Sequence, residues 1–323
     1  MKTIAIVGAS GYIGRHVVAQ LLQLGCYRIK VLSRKRGRDL AADRWPSEVD
    51  VVQGDLQDAE SLKIFLEPNY TVVNLVYLWN GGETENVAVV RNLLKACQYA
   101  QVERLVHCST AAVVGRVSDD SVTEETVCKP ISEYGITKLK IEELIIEATL
   151  AGLDTTILRP TGVFGPDGEP LKKLSGDLAS GSHFRNYLKS CLFGKRRMNL
   201  VHISNVVAAI MFLIDRREHL NGEVFIVSDD GTQSNNFMDI ERVLMESLGS
   251  ANYKLPRIPL PLGLLGLMLR CLGRNNINPR CNYIQGKLEN LGFKSPVAFE
   301  DGMLQYATWY RSIHIAGHGG VIP

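Results

Sequence analysis

The opening of the chain, from Thr3 to Gly14, constrains the fold more than any other stretch. Thr3-Ile-Ala-Ile-Val7 is a short apolar run that enters Gly8-Ala-Ser-Gly11-Tyr-Ile-Gly14 and then an apolar helical pattern. A buried strand, a glycine turn and a helix in that order form a phosphate-binding unit. Gly8 permits the tight turn, Gly11 lets backbone amides approach a pyrophosphate, and Gly14 lets the helix lie close on the strand. The helix N-terminus adds the positive end of its dipole. Ser10, Tyr12 and Ile13 share the turn and are candidate contacts with it. The spacing G-x-x-G-x-x-G is one residue longer than the ordinary dinucleotide fingerprint.

Strand and helix patterns then alternate: strand 3–8, helix 12–24, strand 28–32, Val49–Gln53, Val72–Val76, helix 84–99, strand 104–109, helix 132–151 and strand 154–158. Such alternation predicts an α/β fold, a doubly wound parallel sheet with helices on both faces and ligands at the carboxyl ends of the strands. After Arg159-Pro160 the text turns Gly- and Pro-rich. The expected division is a dinucleotide-binding domain over 1–160 with returning segments at about 199–228, and a smaller substrate-binding lobe from 161–198 and 229–323. Asn199–Ile203 and Glu223–Ser228 have strand character and are expected to rejoin the large lobe, and the Gly-rich tail 314–323 to fray.

Composition removes several classes. The 323 residues are 46% hydrophobic and 22% charged, with a net charge of +2, so neither disorder nor nucleic-acid binding is indicated. The seven cysteines are scattered without a C-x-x-C, which argues against a disulfide framework or a zinc site and for a reducing, cytoplasmic setting. His314 and His318 sit four apart, but the surrounding glycines disfavour a metal-binding helix, and no metal is expected. The acidic run Asp119–Glu125 reads as a solvated loop. Gly8 ends the first apolar run too early for a signal peptide. Ile258–Leu272 is the most apolar stretch, but two prolines and Arg270 make it too short to span a membrane. It reads as a helix packed in the C-terminal lobe, or as a lip touching membrane or a greasy substrate.

The second strand ends in Ser33-Arg34-Lys35-Arg36, where an NAD-preferring protein usually carries an acid for the ribose 2′-hydroxyl. A guanidinium there pairs instead with a 2′-phosphate, so NADP(H) is the expected cofactor, with NAD(H) as the alternative. Arg34 is the main contact, and Ser33 or Lys35 assists. Asp55 and Leu56, after the third strand, suit the adenine amino group and ring. Tyr134-Gly-Ile-Thr-Lys138 puts a phenol and an ammonium on one helical face, an arrangement for proton transfer in carbonyl and alcohol chemistry. The ammonium is expected to lower the phenol pKa and to hold the nicotinamide ribose. At the end of strand 104–109, Thr110 or, in the other register, Ser109 would donate to the substrate oxygen.

Together these segments resemble the extended, nucleotide-sugar-epimerase-like branch of the short-chain dehydrogenase/reductase superfamily. Further family-like stretches are Asn86-Val…Asn92-Leu-Leu, Leu158-Arg-Pro…Gly-Val-Phe-Gly-Pro166, Val201-His-Ile-Ser-Asn-Val-Val207 and Leu291–Gly302. The resemblance implies a Rossmann fold, a role for Asn86 in ordering Lys138 through water, a nucleotide-linked sugar as substrate, and homodimers packed through helices 84–99 and 132–151. A dehydratase of this branch carries Asp-Glu after the strand-end threonine, whereas this chain has Ala111-Ala112. Met198 stands in the register of the sugar-diphosphate arginine, with Arg197 one residue off. The expected reaction is reduction of a keto group, at C4 of a nucleotide-linked sugar. The alternatives are a UDP-sugar 4-epimerase with bound NAD, a dehydrogenase of sterol-like or other apolar alcohols, and a non-catalytic NADPH sensor.

Overall fold

The structure is a computed structural model that describes residues 1–34, 45–271 and 278–318; Lys35 and Arg36 lie outside them. In chain order the first elements are β1 (Lys2–Val7), α1 (Tyr12–Leu24), β2 (Tyr27–Ser33), β3 (Val49–Gln53), α2 (Ala59–Phe65), β4 (Thr71–Asn74), α3 (Gly82–Ala100) and β5 (Arg104–Cys108). There follow β6 (Ser121–Val122), α4 (Glu133–Leu150), β7 (Thr155–Pro160), β8 (Gly162–Phe164), α5 (Lys172–Ser180), α6 (His183–Phe193), β9 (Leu200–His202) and α7 (Ile203–Asp215). The last are β10 (Glu223–Val227), α8 (Phe237–Leu248), α9 (Leu262–Cys271), β11 (Asn282–Tyr283), α10 (Gly286–Asn290) and α11 (Phe299–His318).

The chain forms two compact units. The first comprises Met1–Gly115, Val127–Pro160 and Val207–Phe225; the second comprises Arg116–Thr126, Thr161–Val206 and Ile226–Pro323. The seven-stranded sheet runs in the order β3-β2-β1-β4-β5-β7-β10. From β3 across to β7 every pairing is parallel. Strands covered on both faces lose the polar alternation of a half-exposed sheet, and β4, β5 and β7 are buried at every residue. On one face Ala5, Val7, Val72, Leu105 and Ile157 pack under Val89, Val90 and Leu93 of α3 and Ile141 and Ile145 of α4. Each large aliphatic side chain buried there stabilises the fold by about 1.5–3 kcal/mol.

Strand order reverses between β1 and β4, so Val7 and Asn74 end side by side. Such a switch point is where a doubly wound sheet opens a crevice. Two buried ion pairs brace the sheet behind it. Arg104 pairs with Asp154 at 2.7 Å and also donates to the carbonyls of Leu213, Arg216 and Glu218. Arg159 pairs with Glu142 at 2.6 Å.

In the second unit Phe164, Leu200, Ile240, Leu244, Phe299 and Tyr306 form the core. Here the structure departs from the sequence reading. Leu200–His202 does not rejoin the large lobe but belongs to the second unit, where β9 pairs with β8 in a separate parallel ribbon. The pattern of an apolar triplet does not reveal which partner it takes. Helix α11 continues to His318, past Gly317, because its packed N-terminal turns carry the helix through a residue of poor propensity. The acidic run is not wholly solvated either: Glu124 accepts from the Ile226 amide at 2.8 Å. Among the described residues, no helix is long and apolar enough to cross a membrane, and no cluster of three or more His, Cys, Asp or Glu could hold a metal.

Candidate active site

A cavity of about 830 Å³ opens in the first unit at the switch point, lined from the ends of β1, β2, β4 and β5 and from α4. It gathers Gly8, Ser10, Gly11, Tyr12, Ile13, Gly14, Ser33, Arg34, Asp55, Leu56, Ser109, Tyr134 and Lys138, residues drawn from across the first half of the sequence.

At the glycine end the backbone itself is the binding surface. Gly8 has φ +83°, and a Cβ there would meet the Leu75 carbonyl carbon at 2.9 Å. A Cβ on Gly14 would stand 2.6 Å from the Ala9 carbonyl oxygen, so only glycine lets α1 sit this close to β1. Helix α1 starts at Gly11 with no side-chain cap and no acid in its first turn, which leaves its amides available to an anion. At the end of β2, Arg34 is exposed and has no ion-pair partner among the described residues. Asp55 spends one carboxylate oxygen on the Gln57 amide at 2.9 Å, and Leu56 beside it is buried. The turn, the uncapped helix and the acid-free end of β2 fit a dinucleotide, which would bring hydride chemistry to the far end of the cavity.

That far end is set by α4. Ser132 caps the helix by accepting from the Gly135 amide at 3.1 Å, fixing the phase that brings Tyr134 and Lys138 to the cavity. Lys138 is only 2% exposed; its ammonium donates to the Cys108 carbonyl at 3.0 Å and lies 5.6 Å from the Tyr77 ring centre. Burial lowers its pKa. Tyr134 is pushed up to about 12, first by burial, then by the Cys108 thiol and Tyr77, while the Thr110 hydroxyl pulls the other way. The downward shift expected from the ammonium is therefore not seen, because Lys138 is turned to the strand carbonyl and the phenol is sheltered. At neutral pH the phenol therefore keeps its proton.

The two strand-end hydroxyls separate. Thr110 accepts from the Ala112 amide at 3.2 Å, starting a single turn of 3-10 helix, and lies beside Tyr134. Ser109 lines the cavity, is 4% exposed, and its hydroxyl bonds to nothing among the described residues. A buried hydroxyl without a partner costs about 1–3 kcal/mol, so Ser109 is the better placed of the two to meet an oxygen in the cavity. Asn86 is buried and spends its side chain on a turn: it donates to the Leu78 and Gly82 carbonyls and accepts from the Leu78 amide.

That turn carries the residues that sequence reasoning passed over. The Tyr77 ring stands edge-on to Tyr134 at 4.7 Å, and Trp79 stacks on Tyr134 at 5.3 Å and 17° while remaining 77% exposed. The signal lay in their position, since Tyr77-Leu-Trp79 follows the central strand next to the glycine turn. Beneath Lys138, His107 and Asn74 are register partners on β5 and β4, both fully buried. Neither His107 nitrogen has a partner among the described residues, and burial with the nearby ammonium holds the ring neutral. In the second unit, Arg197 is occupied by the carbonyls of Asp230, Thr232 and Gln233 and by Asn282.

The chain is similar to known proteins in sequence and in fold. The chain is 30% identical over 210 residues to a UDP-glucose 4-epimerase of Azospirillum brasilense, covering 60% of this chain and 58% of the epimerase's length. It is 24% identical to a decarboxylating sterol-4-alpha-carboxylate 3-dehydrogenase of Candida albicans, covering 96% and 97%. In fold it is similar to a dTDP-glucose 4,6-dehydratase of Bacillus anthracis in complex with NAD, with a TM-score of 0.72 at 19% identity over 97% of both chains. A UDP-glucose 4-epimerase of Thermotoga maritima gives 0.71 at 19% identity over 97% and 99%. The model of the NAD dependent epimerase/dehydratase family matches residues 4–228, the stretch that supplies every residue of the cavity. The chain belongs to the NAD dependent epimerase/dehydratase family.

Proposed function

We propose that this chain reduces a keto group, at C4 of a nucleotide-linked sugar, with NADPH as the hydride donor. The observation that carries the reading is that Tyr134, the Ser109 hydroxyl, which has no partner among the described residues, and the buried Lys138 line one cavity. In the forward direction the phenol gives its proton to the carbonyl oxygen, Ser109 or Thr110 donates a hydrogen bond to that oxygen, and Lys138 carries positive charge beside it. No carboxylate follows Thr110, where Ala111 and Ala112 stand, so water elimination has no acid or base there. Arg34, exposed and without an ion-pair partner among the described residues, supports a 2′-phosphate and hence NADP(H) over NAD(H). The nucleotide-sugar class draws its support from the UDP-glucose epimerase relative.

A second reading, oxidoreduction of an apolar ring alcohol, is favoured by the Tyr77 and Trp79 rings against Tyr134 and by the sterol dehydrogenase relative. The deciding experiment titrates cofactor-stripped protein with NADPH and NADH, then assays nucleotide-linked 4-keto-sugars against 3-keto-sterols. NADPH preference that falls about tenfold or more in Arg34→Ala, with keto-sugar turnover, is the expected result. Tightly retained NAD in the purified protein would turn the reading to an epimerase, and sterol turnover alone would turn it to the second.

A further inference from the structure

Helix α6 is built inside out for a helix facing water. It buries Asn186, which donates to the Asp177 carbonyl at 2.6 Å, and Ser190, which bonds Glu241, while Phe184 and Leu188 stand exposed one turn apart. The segment that packs along α6 continues the pattern. Tyr187 donates to the Pro256 carbonyl at 3.0 Å and the Leu260 amide donates to the Cys191 carbonyl at 2.8 Å, so residues 255–260 lie against α6. From there Leu255, Ile258, Leu264 and Leu267 are exposed, Ile258 by 75%. Helix α9 buries Leu265 and Leu269 and so turns a second apolar face outward. Single exposed leucines are ordinary, but a set of exposed apolar side chains on adjoining segments marks an interaction surface.

Charge says what kind of surface it meets. No Asp or Glu occurs from Leu178 to Ile214, or from Ser247 to Leu288, in a chain whose net charge is only +2. Arg185, Lys189 and Lys254 stand next to Phe184, Leu188 and Leu255 in sequence, and Lys195 follows the end of α6. Asp177 partly occupies the first two, at 3.2 and 2.6 Å, and Asp239 pairs with Lys195. Lys254 is exposed and has no ion pair among the described residues. Apolar side chains beside cations that outnumber the acids pairing with them complement a bilayer with anionic headgroups. A partner face of a second protein copy would set these cations against one another.

We propose that this face of the second unit docks on an anionic phospholipid surface, Phe184, Leu188, Ile258, Leu264 and Leu267 entering the interface while the lysines and arginines meet lipid phosphates. Among the described residues, no helix is long and apolar enough to cross that membrane. The test is co-sedimentation of the full chain with vesicles of phosphatidylcholine alone and of phosphatidylcholine mixed with phosphatidylglycerol. Binding to the mixed vesicles only, reduced about tenfold in Leu264→Asp/Leu267→Asp and weakened by Lys254→Glu or by added salt, is the expected result. Circular dichroism of each variant, all at exposed positions, checks that the fold is kept. Equal binding to both vesicles, or to neither, overturns the proposal. So does a concentration-dependent dimer that the Leu264→Asp/Leu267→Asp variant abolishes, which would assign the face to a second copy.

Discussion

Ser109 and Trp79 define the candidate site as much as the tyrosine that first drew attention to it. Tyr134→Phe should lower turnover by about two to four orders of magnitude with cofactor affinity nearly unchanged, as read by steady-state kinetics and NADPH titration. Ser109→Ala should cost more than Thr110→Val, since the serine hydroxyl is uncommitted whereas the threonine already caps a turn. Trp79→Ala opens the sheltered face of the phenol to water. Because burial raises the Tyr134 pKa to about 12, exposure should bring it down toward ~10. An ultraviolet titration corrected with Tyr134→Phe would show the midpoint falling; an unchanged midpoint would mean that Trp79 does not shelter the phenol. At this scale the gathering of the motif glycines, Tyr134 and Lys138 around one cavity was legible, because it follows from local spacing. Tyr77, Trp79, Asn74 and His107 were not, since their importance comes from neighbours on other strands and on α4.

Elements were legible where a period ran long enough. The alternation of β1 through β7 with α1, α3 and α4 followed from apolar runs and helical spacing, and the parallel order followed from chain connectivity. What failed was the placement of a three-residue strand: Leu200–His202 is too short to declare its partner, and it chose β8. The β1–α1 joint gives the sharpest test at this scale. Gly14→Ala forces a methyl to 2.6 Å from the Ala9 carbonyl, so α1 must lift from β1. Loss of dinucleotide binding by at least about tenfold, with a stability loss of about 1–3 kcal/mol in urea unfolding, is expected. Retention of both would mean that the helix has room to move.

For the whole molecule, the sequence reading placed the domain change at Pro160 and expected a return near residue 200; the return instead begins at Val207. Hydropathy alone could not show this, because α7 and the strands around it are apolar in either assignment. Arg104 is the residue that ties the return in place. Arg104→Ala removes its bond to Asp154 and its three carbonyl contacts, leaving the buried carboxylate without its guanidinium and held by the Leu220 and Asn221 amides. A loss of about 3–5 kcal/mol is expected in denaturant unfolding; a loss under about 1 kcal/mol would show the clamp to be dispensable. The same clamp sets an order of events at the ribosome. Arg104 and Asp154 emerge early, yet their partners at Leu213, Arg216, Glu218 and Leu220 emerge only after Thr161–Val206 has been made. The nascent sheet must therefore wait, with an incompletely satisfied ion pair at its heart, while much of the second unit is synthesised. Neither unit can be expressed as one uninterrupted piece of this gene.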